Sequence, residues 1–125
     1  MSDLKVSFLG LGVMGFPMAG HLANAGYKVT VYNRTSSKAE QWLTSHSDAA
    51  SPSAIAKTPE EAAEGADIVF MCVGDDNDVR EIGTRALSRM KSDAILVDHT
   101  TASADIAREL DDTCRKQNIH FLDAP

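Results

Sequence analysis

The sequence predicts an α/β fold, with a doubly wound, mainly parallel sheet of six strands and helices on both faces of the sheet. Three observations support this prediction. Apolar, β-branched runs alternate along the chain with stretches whose apolar residues recur at helical spacing. Two of the runs, residues 67–73 and 94–97, are apolar without alternation, as expected for parallel strands covered on both faces. The first run leads into a glycine-rich turn and then into a helix.

Composition and charge narrow the class of protein. The 125 residues suffice for one domain with one core, and 43% hydrophobic with 24% charged residues is typical of globular proteins. A net charge of −6 without a basic stripe argues against binding nucleic acid. No apolar run reaches the roughly 18 residues of a membrane span, and residues 1–5 lack the features of a signal peptide. Two distant cysteines, Cys72 and Cys114, indicate neither a disulfide framework nor a metal site, so we expect a cytoplasmic protein.

The first half of the chain alternates strand and helix. Residues 5–10 are predicted as a strand, residues 14–25 as a helix that stops at Gly26, and residues 28–32 as the second strand. Residues 36–46 follow as a second helix. The inward faces are assigned to an apolar stripe on the first helix (Met14, Met18, Leu22 and Ala25) and to Ala39, Trp42 and Leu43 on the second.

The second half repeats the pattern. A small, polar stretch with one possible short strand at residues 53–56 precedes Thr58-Pro59-Glu60-Glu61, a capping box that opens a short helix. Later strands are predicted at residues 67–73, 94–97 and 119–122, and later helices up to about Met90 and over residues 103–116. Asp75, Asp76 and Asp78 open one of these helices. They suggest a metal site, but acidic residues opposing the helix dipole explain them better, so no metal is predicted.

The glycine-rich turn carries the strongest functional signal. Gly10, Gly12 and Gly15 stand in the spacing G-x-G-x-x-G between a strand and a helix, which is the context of the dinucleotide-binding fingerprint. Gly10 permits the tight turn, Gly12 lets a pyrophosphate approach the backbone, and Gly15 lets the helix pack on the strand. The phosphate meets unpaired N–H groups at the helix start. We therefore predict that the whole turn binds the cofactor, including its intervening residues Leu11, Val13 and Met14.

The end of the second strand bears on which dinucleotide binds. NAD-selective domains place a carboxylate about 20 residues past the glycines to bind the ribose 2′-hydroxyl. This chain has Asn33-Arg34-Thr35 there, and a guanidinium can bind a 2′-phosphate that a carboxylate would repel. The three residues predict NADP(H), with NAD possible. The alternative is that they form only a polar turn and a helix cap.

Other strand ends are expected near the cofactor, because ligands of open α/β sheets bind beyond the carboxyl ends of strands. Val73 and Gly74 follow one buried strand, and Asp98-His99-Thr100-Thr101 follows the next. His99 could act as an acid or base, although a polar neighbour of the site is the better interpretation, since no partner is visible.

Taken together, these motifs resemble the N-terminal NAD(P)-binding domain of the β-hydroxyacid dehydrogenase family. That family includes 3-hydroxyisobutyrate dehydrogenase, and 6-phosphogluconate dehydrogenase is a more distant relative. The resemblance covers essentially the whole chain and is most specific over residues 8–19. It implies a Rossmann-type fold, a nicotinamide contact for Thr101, and the opening of a substrate-binding segment at Asp123. Thr100 stands where the family usually has serine, and Ala104 where proline is common.

The resemblance also implies what this chain lacks. The family's catalytic lysine lies on an all-helical C-terminal domain that binds substrate and forms the dimer. No lysine here matches its motif, so no catalytic residue is predicted in this chain. We expect the cofactor domain, residues 1–125, of a homo-oligomeric reductase of small β-hydroxyacids or semialdehydes. Because the sequence stops inside the substrate motif, we expect it to be truncated and inactive alone. The alternatives are a free-standing NADP(H)-binding module and the cofactor domain of an imine reductase relative.

Overall fold

Strands and helices alternate along the chain throughout the computed structural model, which describes residues 4–48 and 53–125. The elements are β1 (Lys5–Leu9), α1 (Gly15–Asn24), β2 (Lys28–Tyr32), α2 (Ser36–Ser45), β3 (Ala54–Ile55), α3 (Pro59–Ala63), β4 (Ile68–Met71), α4 (Asp76–Leu87), β5 (Ile95–Asp98), α5 (Ala104–Lys116) and β6 (His120–Asp123). The start of the chain, used above to argue against a signal peptide, falls partly outside the described residues. So does part of the polar stretch before β3.

The six strands form one sheet in the order β3-β2-β1-β4-β5-β6, and every neighbouring pair is parallel. The chain moves outward from β1 to β3, crosses back, and moves outward again from β4 to β6. The order therefore reverses between β1 and β4, which makes their carboxyl ends the switch point where ligands of this architecture bind. The predicted doubly wound Rossmann-type fold is confirmed.

Two cores lie on opposite faces of the sheet. On one face Phe8 and Val31 pack with Ala19 of α1 and Trp42 of α2, and all four are fully buried. On the other face the apolar residues of α3, α4 and α5 cover Leu9, Met71 and Leu96 of the strands. The prediction that Trp42 anchors the core is confirmed, and its indole N–H donates to the carbonyl oxygen of Phe16 at 3.2 Å.

In the described part of the chain, three helices begin with a side-chain cap. The Thr58 hydroxyl accepts from the amide of Glu61 at 3.0 Å, as the capping box predicts. The Asp75 carboxylate accepts from the amide of Asp78 at 3.0 Å, and Ser103 caps α5. At the start of α4, Asp75 thus caps the helix, whereas the Asp76 carboxylate accepts from Ser103 and the Asp78 carboxylate pairs with Arg34. Residues 4–48 and 53–125 contain no group of three or more histidine, cysteine or acidic residues arranged to hold a metal ion.

The predicted apolar stripe of α1 is only partly right, because Met18 and Leu22 pack against the core but Met14 and Ala25 are exposed. The buried residues of this helix are small (Gly15, Ala19, Gly20 and Ala23), whereas Met14 is 64% exposed and Met18 and Leu22 are only half-buried. Small side chains let the helix axis approach the sheet closely, so the larger residues lie along the flank of the contact. Hydrophobic periodicity identified the helix but only part of its buried face, because glycine and alanine contribute little to that pattern.

The sheet face that carries α1 is only partly covered by the described residues. Phe70, Val97 and Leu122 lie side by side on β4, β5 and β6. Val97 is buried, Phe70 is partly buried, and Leu122 on the edge strand is 55% exposed. A shallow apolar cavity of about 280 Å³ lies between Phe70 and the flank of α1, where Met18 and Leu22 line it. Within residues 4–48 and 53–125, no helix has the length and apolar character needed to cross a membrane.

Candidate nucleotide-binding site

The glycine turn between β1 and α1 is built so that two glycines are structurally required and the third faces open space. Gly10 has a φ of +101°, and a Cβ there would overlap the carbonyl oxygen of Cys72. A Cβ on Gly15 would overlap the carbonyl oxygen of Gly10, which fixes how closely α1 approaches the turn. A Cβ on Gly12 would have no atom within 4 Å. Gly12 therefore leaves a space at the rim of the turn that a ligand can enter.

The start of α1 offers amide donors to that space. Within the described chain, the amides of Gly12, Val13 and Met14 donate to no protein group. Among the residues that the structure describes, no side chain caps α1, and its first turn holds no acidic residue, in contrast to α3, α4 and α5. The Val13 side chain is 92% exposed. Unpaired amides and the positive end of a helix dipole together suit an anion such as a pyrophosphate.

Asn33 ties this turn to the end of β2. Its Oδ1 accepts from the amide of Leu11 at 2.8 Å, and its Nδ2 donates to the carbonyl oxygen of Thr35 at 3.0 Å. The amide of Gly10 donates to the carbonyl oxygen of Tyr32 at 2.8 Å beside it. Leu11 is fully buried and its amide donates to Asn33, so Leu11 supports the turn from the core and does not line the cleft.

Arg34 reaches from the end of β2 across to α4. Its side chain is 59% exposed, with Nη1 3.2 Å from Oδ1 of Asp78 and Nη2 3.3 Å from Oε1 of Glu81. The sequence placed Arg34 at the cofactor but gave no sign of these two partners, which lie more than forty residues further along the chain. Ion pairs at this exposure are weak, so the guanidinium can exchange partners readily.

A cleft of about 380 Å³ collects most of the predicted cofactor residues, a size within the usual range for small-molecule sites. The predicted residues that line it are Gly10, Gly12, Val13, Met14, Gly15, Asn33, Arg34, Val73 and Gly74. Tyr32, Cys72, Asp78 and Ile82 also line it and were not predicted. Tyr32 and Cys72 directly precede predicted site residues, which is the signal that could have identified them. Burial raises the pKa of the Cys72 thiol, so this sulfur remains protonated.

Hydrogen bonds tie the carboxyl end of β4 to that of β5. The Val73 amide donates to the Thr100 hydroxyl at 2.9 Å, and the Thr100 amide donates to the Asp98 carboxylate at 3.0 Å. Both Asp98 and Thr100 are buried. Burial raises the pKa of Asp98, and the nearby charge of Asp123 adds to this shift, whereas the bonds from Thr100 oppose it. The sequence grouped these residues correctly, but it did not predict that Thr100 fixes the loop lining the cleft.

Besides the buried Leu11, three predicted site residues lie outside the lining of this cleft. Thr101 is exposed just beyond β5, Thr35 is exposed at the start of α2, and Asp123 is exposed at the end of β6. Their roles toward the nicotinamide, the ribose and the substrate stay predictions. His99 lies on the α1 side of the sheet, where its ring stacks on Phe70 at 5.9 Å and Nδ1 lies 2.7 Å from the carbonyl oxygen of Ala124.

The switch point, the glycine turn and the uncapped start of α1 define a nucleotide-binding α/β domain. Residues 5–125 match the family model described as the NAD binding domain of 6-phosphogluconate dehydrogenase, and the chain belongs to that family. The predicted resemblance is thereby confirmed.

Known proteins agree with this assignment. The chain is 55% identical to an uncharacterized oxidoreductase of Shewanella frigidimarina over 97% of this chain and 41% of that protein. A Mycobacterium tuberculosis 3-hydroxyisobutyrate dehydrogenase solved with L-serine matches with a TM-score of 0.89 and 28% identity, over 99% of this chain and 40% of that one. An imine reductase of Myxococcus stipitatus in complex with NADP+ matches with a TM-score of 0.82 and 26% identity, over 95% of this chain and 39% of that one. The chain thus spans about two fifths of the length of these relatives.

Proposed function

We propose that this chain is the NADP(H)-binding domain of an oxidoreductase that transfers a hydride between its nicotinamide cofactor and a small β-hydroxyacid or semialdehyde. Membership of an NAD-binding family supports the cofactor class. The 3-hydroxyisobutyrate dehydrogenase solved with L-serine, itself a β-hydroxyacid, supports the substrate class. The nucleotide preference rests on one observation, the Arg34 guanidinium in the same cleft as the glycine turn.

The residues of the cleft fit a dinucleotide. The free amides of Gly12, Val13 and Met14 would hold the pyrophosphate, because they are donors at a helix N-terminus with open space before them. Arg34 would bind the ribose 2′-phosphate through charge-assisted hydrogen bonds. When bound, the nicotinamide supplies the hydride, and the protein supplies binding and orientation.

The acid or base of the reaction is proposed to come from outside this chain. In the described residues, Arg34 and Asp78 are the only charged side chains that line the cleft, and they pair with each other. A carbonyl reduction also needs a proton donor near the reacting oxygen. We therefore propose that an all-helical C-terminal domain of a longer protein supplies it, binds the substrate and forms a homo-oligomer. The exposed apolar edge at Leu122 is consistent with such a neighbour.

This proposal has a direct functional consequence. The 125-residue chain should bind the cofactor and show little or no turnover with β-hydroxyacids or semialdehydes. Sustained dehydrogenase activity from the isolated chain would contradict the assignment of the catalytic group to another domain. A cytoplasmic location is part of the same proposal.

Substitution of Arg34 tests the nucleotide assignment. Arg34→Ala should weaken NADPH binding about tenfold to a hundredfold, the usual value of a charge-assisted contact, and should leave NADH nearly unchanged. Lys38→Ala is the matched control, because it removes an exposed cation from α2 that does not line the cleft. Calorimetric titration of both variants with both nucleotides gives the comparison. If Arg34→Ala lowers the affinities for NADPH and NADH equally, or lowers neither, the role of Arg34 is refuted.

A second candidate is the cofactor domain of an imine reductase, which the NADP+ complex of the Myxococcus stipitatus protein supports. Both candidates use the same domain, so titration of this chain does not separate them. The full-length protein does, since a β-hydroxyacid dehydrogenase oxidises L-serine or 3-hydroxyisobutyrate and an imine reductase consumes NADPH with a cyclic imine.

A further inference from the structure

We propose that Asp78 and Glu81 of α4 lower the affinity of the cleft for NADP(H) by competing with the 2′-phosphate for Arg34, with Asp78 the stronger competitor. This inference rests on the proposed function, since it assumes that Arg34 binds that phosphate. It adds two specificity-determining residues that lie far from the second-strand motif in the sequence.

The geometry of Arg34 carries the argument. Its two terminal nitrogens are both engaged, Nη1 by Asp78 at 3.2 Å and Nη2 by Glu81 at 3.3 Å. A phosphate binds a guanidinium through the same N–H groups. A 2′-phosphate must therefore displace at least one carboxylate or share its donors. Within the described residues, Arg34 is the one cation that lines the cleft, so no second cation compensates for the lost charge.

Asp78 has an additional effect because it lines the cleft itself. Its carboxylate is 29% exposed and stands opposite Gly74, where an added Cβ would lie 2.5 Å from Oδ2. The first turn of α4 fixes its backbone through the bond from its amide to Asp75. A carboxylate held at this place repels a dianionic phosphate nearby, and it does not repel the neutral 2′-hydroxyl of NADH.

The two carboxylates differ in the cationic partners that remain to them when Arg34 binds a phosphate instead. Glu81 also lies 3.6 Å from Arg85, which in turn binds Glu60 at 3.0 Å, so Glu81 keeps a cationic partner. In residues 4–48 and 53–125, the ion pair of the Asp78 carboxylate is with Arg34 alone. When Arg34 binds a phosphate, Asp78 therefore loses its ion pair, whereas Glu81 keeps the pair with Arg85. We expect Asp78 to have the larger influence on nucleotide preference.

The test compares affinities for NADPH and NADH in the wild type, Asp78→Asn, Glu81→Gln and the double variant. Each exposed ion pair of this kind is worth up to about fivefold in an equilibrium constant. Asp78→Asn should raise the ratio of NADPH to NADH affinity about threefold to tenfold, because loss of the direct repulsion adds to loss of the ion pair, and Glu81→Gln should raise it less than about threefold. Glu109→Gln is the control, because it removes a carboxylate about as exposed as that of Glu81, and neither Glu109 nor its partner Arg80 lines the cleft.

The ratio of affinities separates specificity from a structural effect, since a distorted cleft would change the affinities for NADPH and NADH by the same factor. An unchanged ratio in Asp78→Asn overturns the inference, because it would mean that Asp78 does not compete with the phosphate, and a lowered ratio overturns it because the carboxylate would then position Arg34 for the phosphate. In the Arg34→Ala background the gain from Asp78→Asn should be smaller than in the wild type, because the competition for Arg34 is absent and only the direct repulsion of the phosphate by Asp78 remains. If Arg34→Ala alone leaves the ratio unchanged, the proposed function fails. If Arg34→Ala lowers the ratio and Asp78→Asn does not raise it, only this inference fails.

Discussion

Asn33 joins the glycine turn to the end of β2, so its replacement tests whether the turn depends on a side chain outside the glycine motif. Asn33→Ala removes the acceptor for the Leu11 amide and the donor to the Thr35 carbonyl oxygen. Leu11 is fully buried, so its N–H would be left without a partner and away from water. The expected loss in free energy of unfolding is about 1–3 kcal/mol, the cost of a buried unsatisfied donor.

Asn33→Asp is the informative companion variant. It keeps an Oδ1 acceptor for the Leu11 amide, so it should be destabilised by less than about 1 kcal/mol. It also places a carboxylate among the residues lining the cleft, which should favour NADH over NADPH because a carboxylate accepts from the 2′-hydroxyl and repels the 2′-phosphate. Asn33→Ala should instead weaken the binding of NADPH and NADH to the same extent, since both nucleotides need the ordered glycine turn.

Urea denaturation measures the stabilities, and calorimetric titration measures the affinities. Asn24→Ala on the exposed end of α1 is the matched control, and it should change stability by no more than about 0.5 kcal/mol. If Asn33→Ala is as stable as this control, the bond to Leu11 does not hold the turn. If Asn33→Asp loses as much stability as Asn33→Ala, the acceptor is not the important group.

Four further predictions concern the turn and the strand ends. Gly12→Val should keep the fold and weaken nucleotide binding more than tenfold, whereas Gly15→Ala should lower stability by several kcal/mol, since its Cβ would overlap backbone. Thr100→Val should cost about 1–3 kcal/mol in urea denaturation, because the Val73 amide loses its acceptor. Burial holds the pKa of Asp98 above its usual value of 3.8, so the contribution of Asp98 to stability falls as pH rises past that value, and Asp98→Asn should gain stability relative to wild type over the same rise.

Each of these has an outcome that counts against the structural account. Tight nucleotide binding by Gly12→Val would show that the open space beside it is not the ligand site. A fully stable Gly15→Ala would show that α1 does not pack closely on the turn. Wild-type stability in Thr100→Val would remove the role of its hydroxyl. A difference between Asp98→Asn and wild type that does not change with pH would show that burial does not affect this carboxyl group.

Much of the fold followed from local signals. The glycine turn, the capping box at Thr58 and the apolar run of β4 each depend on residues close in sequence, and each was predicted with bounds within a few residues of the structure. The face that α1 buries was predicted only in part, because its contact depends more on small residues such as Ala19 and Gly20 than on an apolar stripe.

The candidate site was predictable to a similar degree and for the same reason. Gly12 and Arg34 belong to short sequence motifs, and the residue types in these motifs are sufficient to predict the chemical role of each residue. The pairing of Arg34 with Asp78 and the bond from Val73 to Thr100 arise only when distant segments meet at the carboxyl ends of the strands. No local pattern specifies such contacts, since they depend on the strand order and on where each helix begins.

The most direct test of the central claim is a calorimetric titration of this chain with NADPH and, separately, with NADH at one fixed salt concentration. The account predicts that both nucleotides bind through the glycine turn and that NADPH binds at least severalfold more tightly, because only NADPH carries the 2′-phosphate for Arg34. Binding of NADH as tight as or tighter than that of NADPH would contradict the account of Arg34. Absence of binding for both would contradict the assignment of the cleft itself.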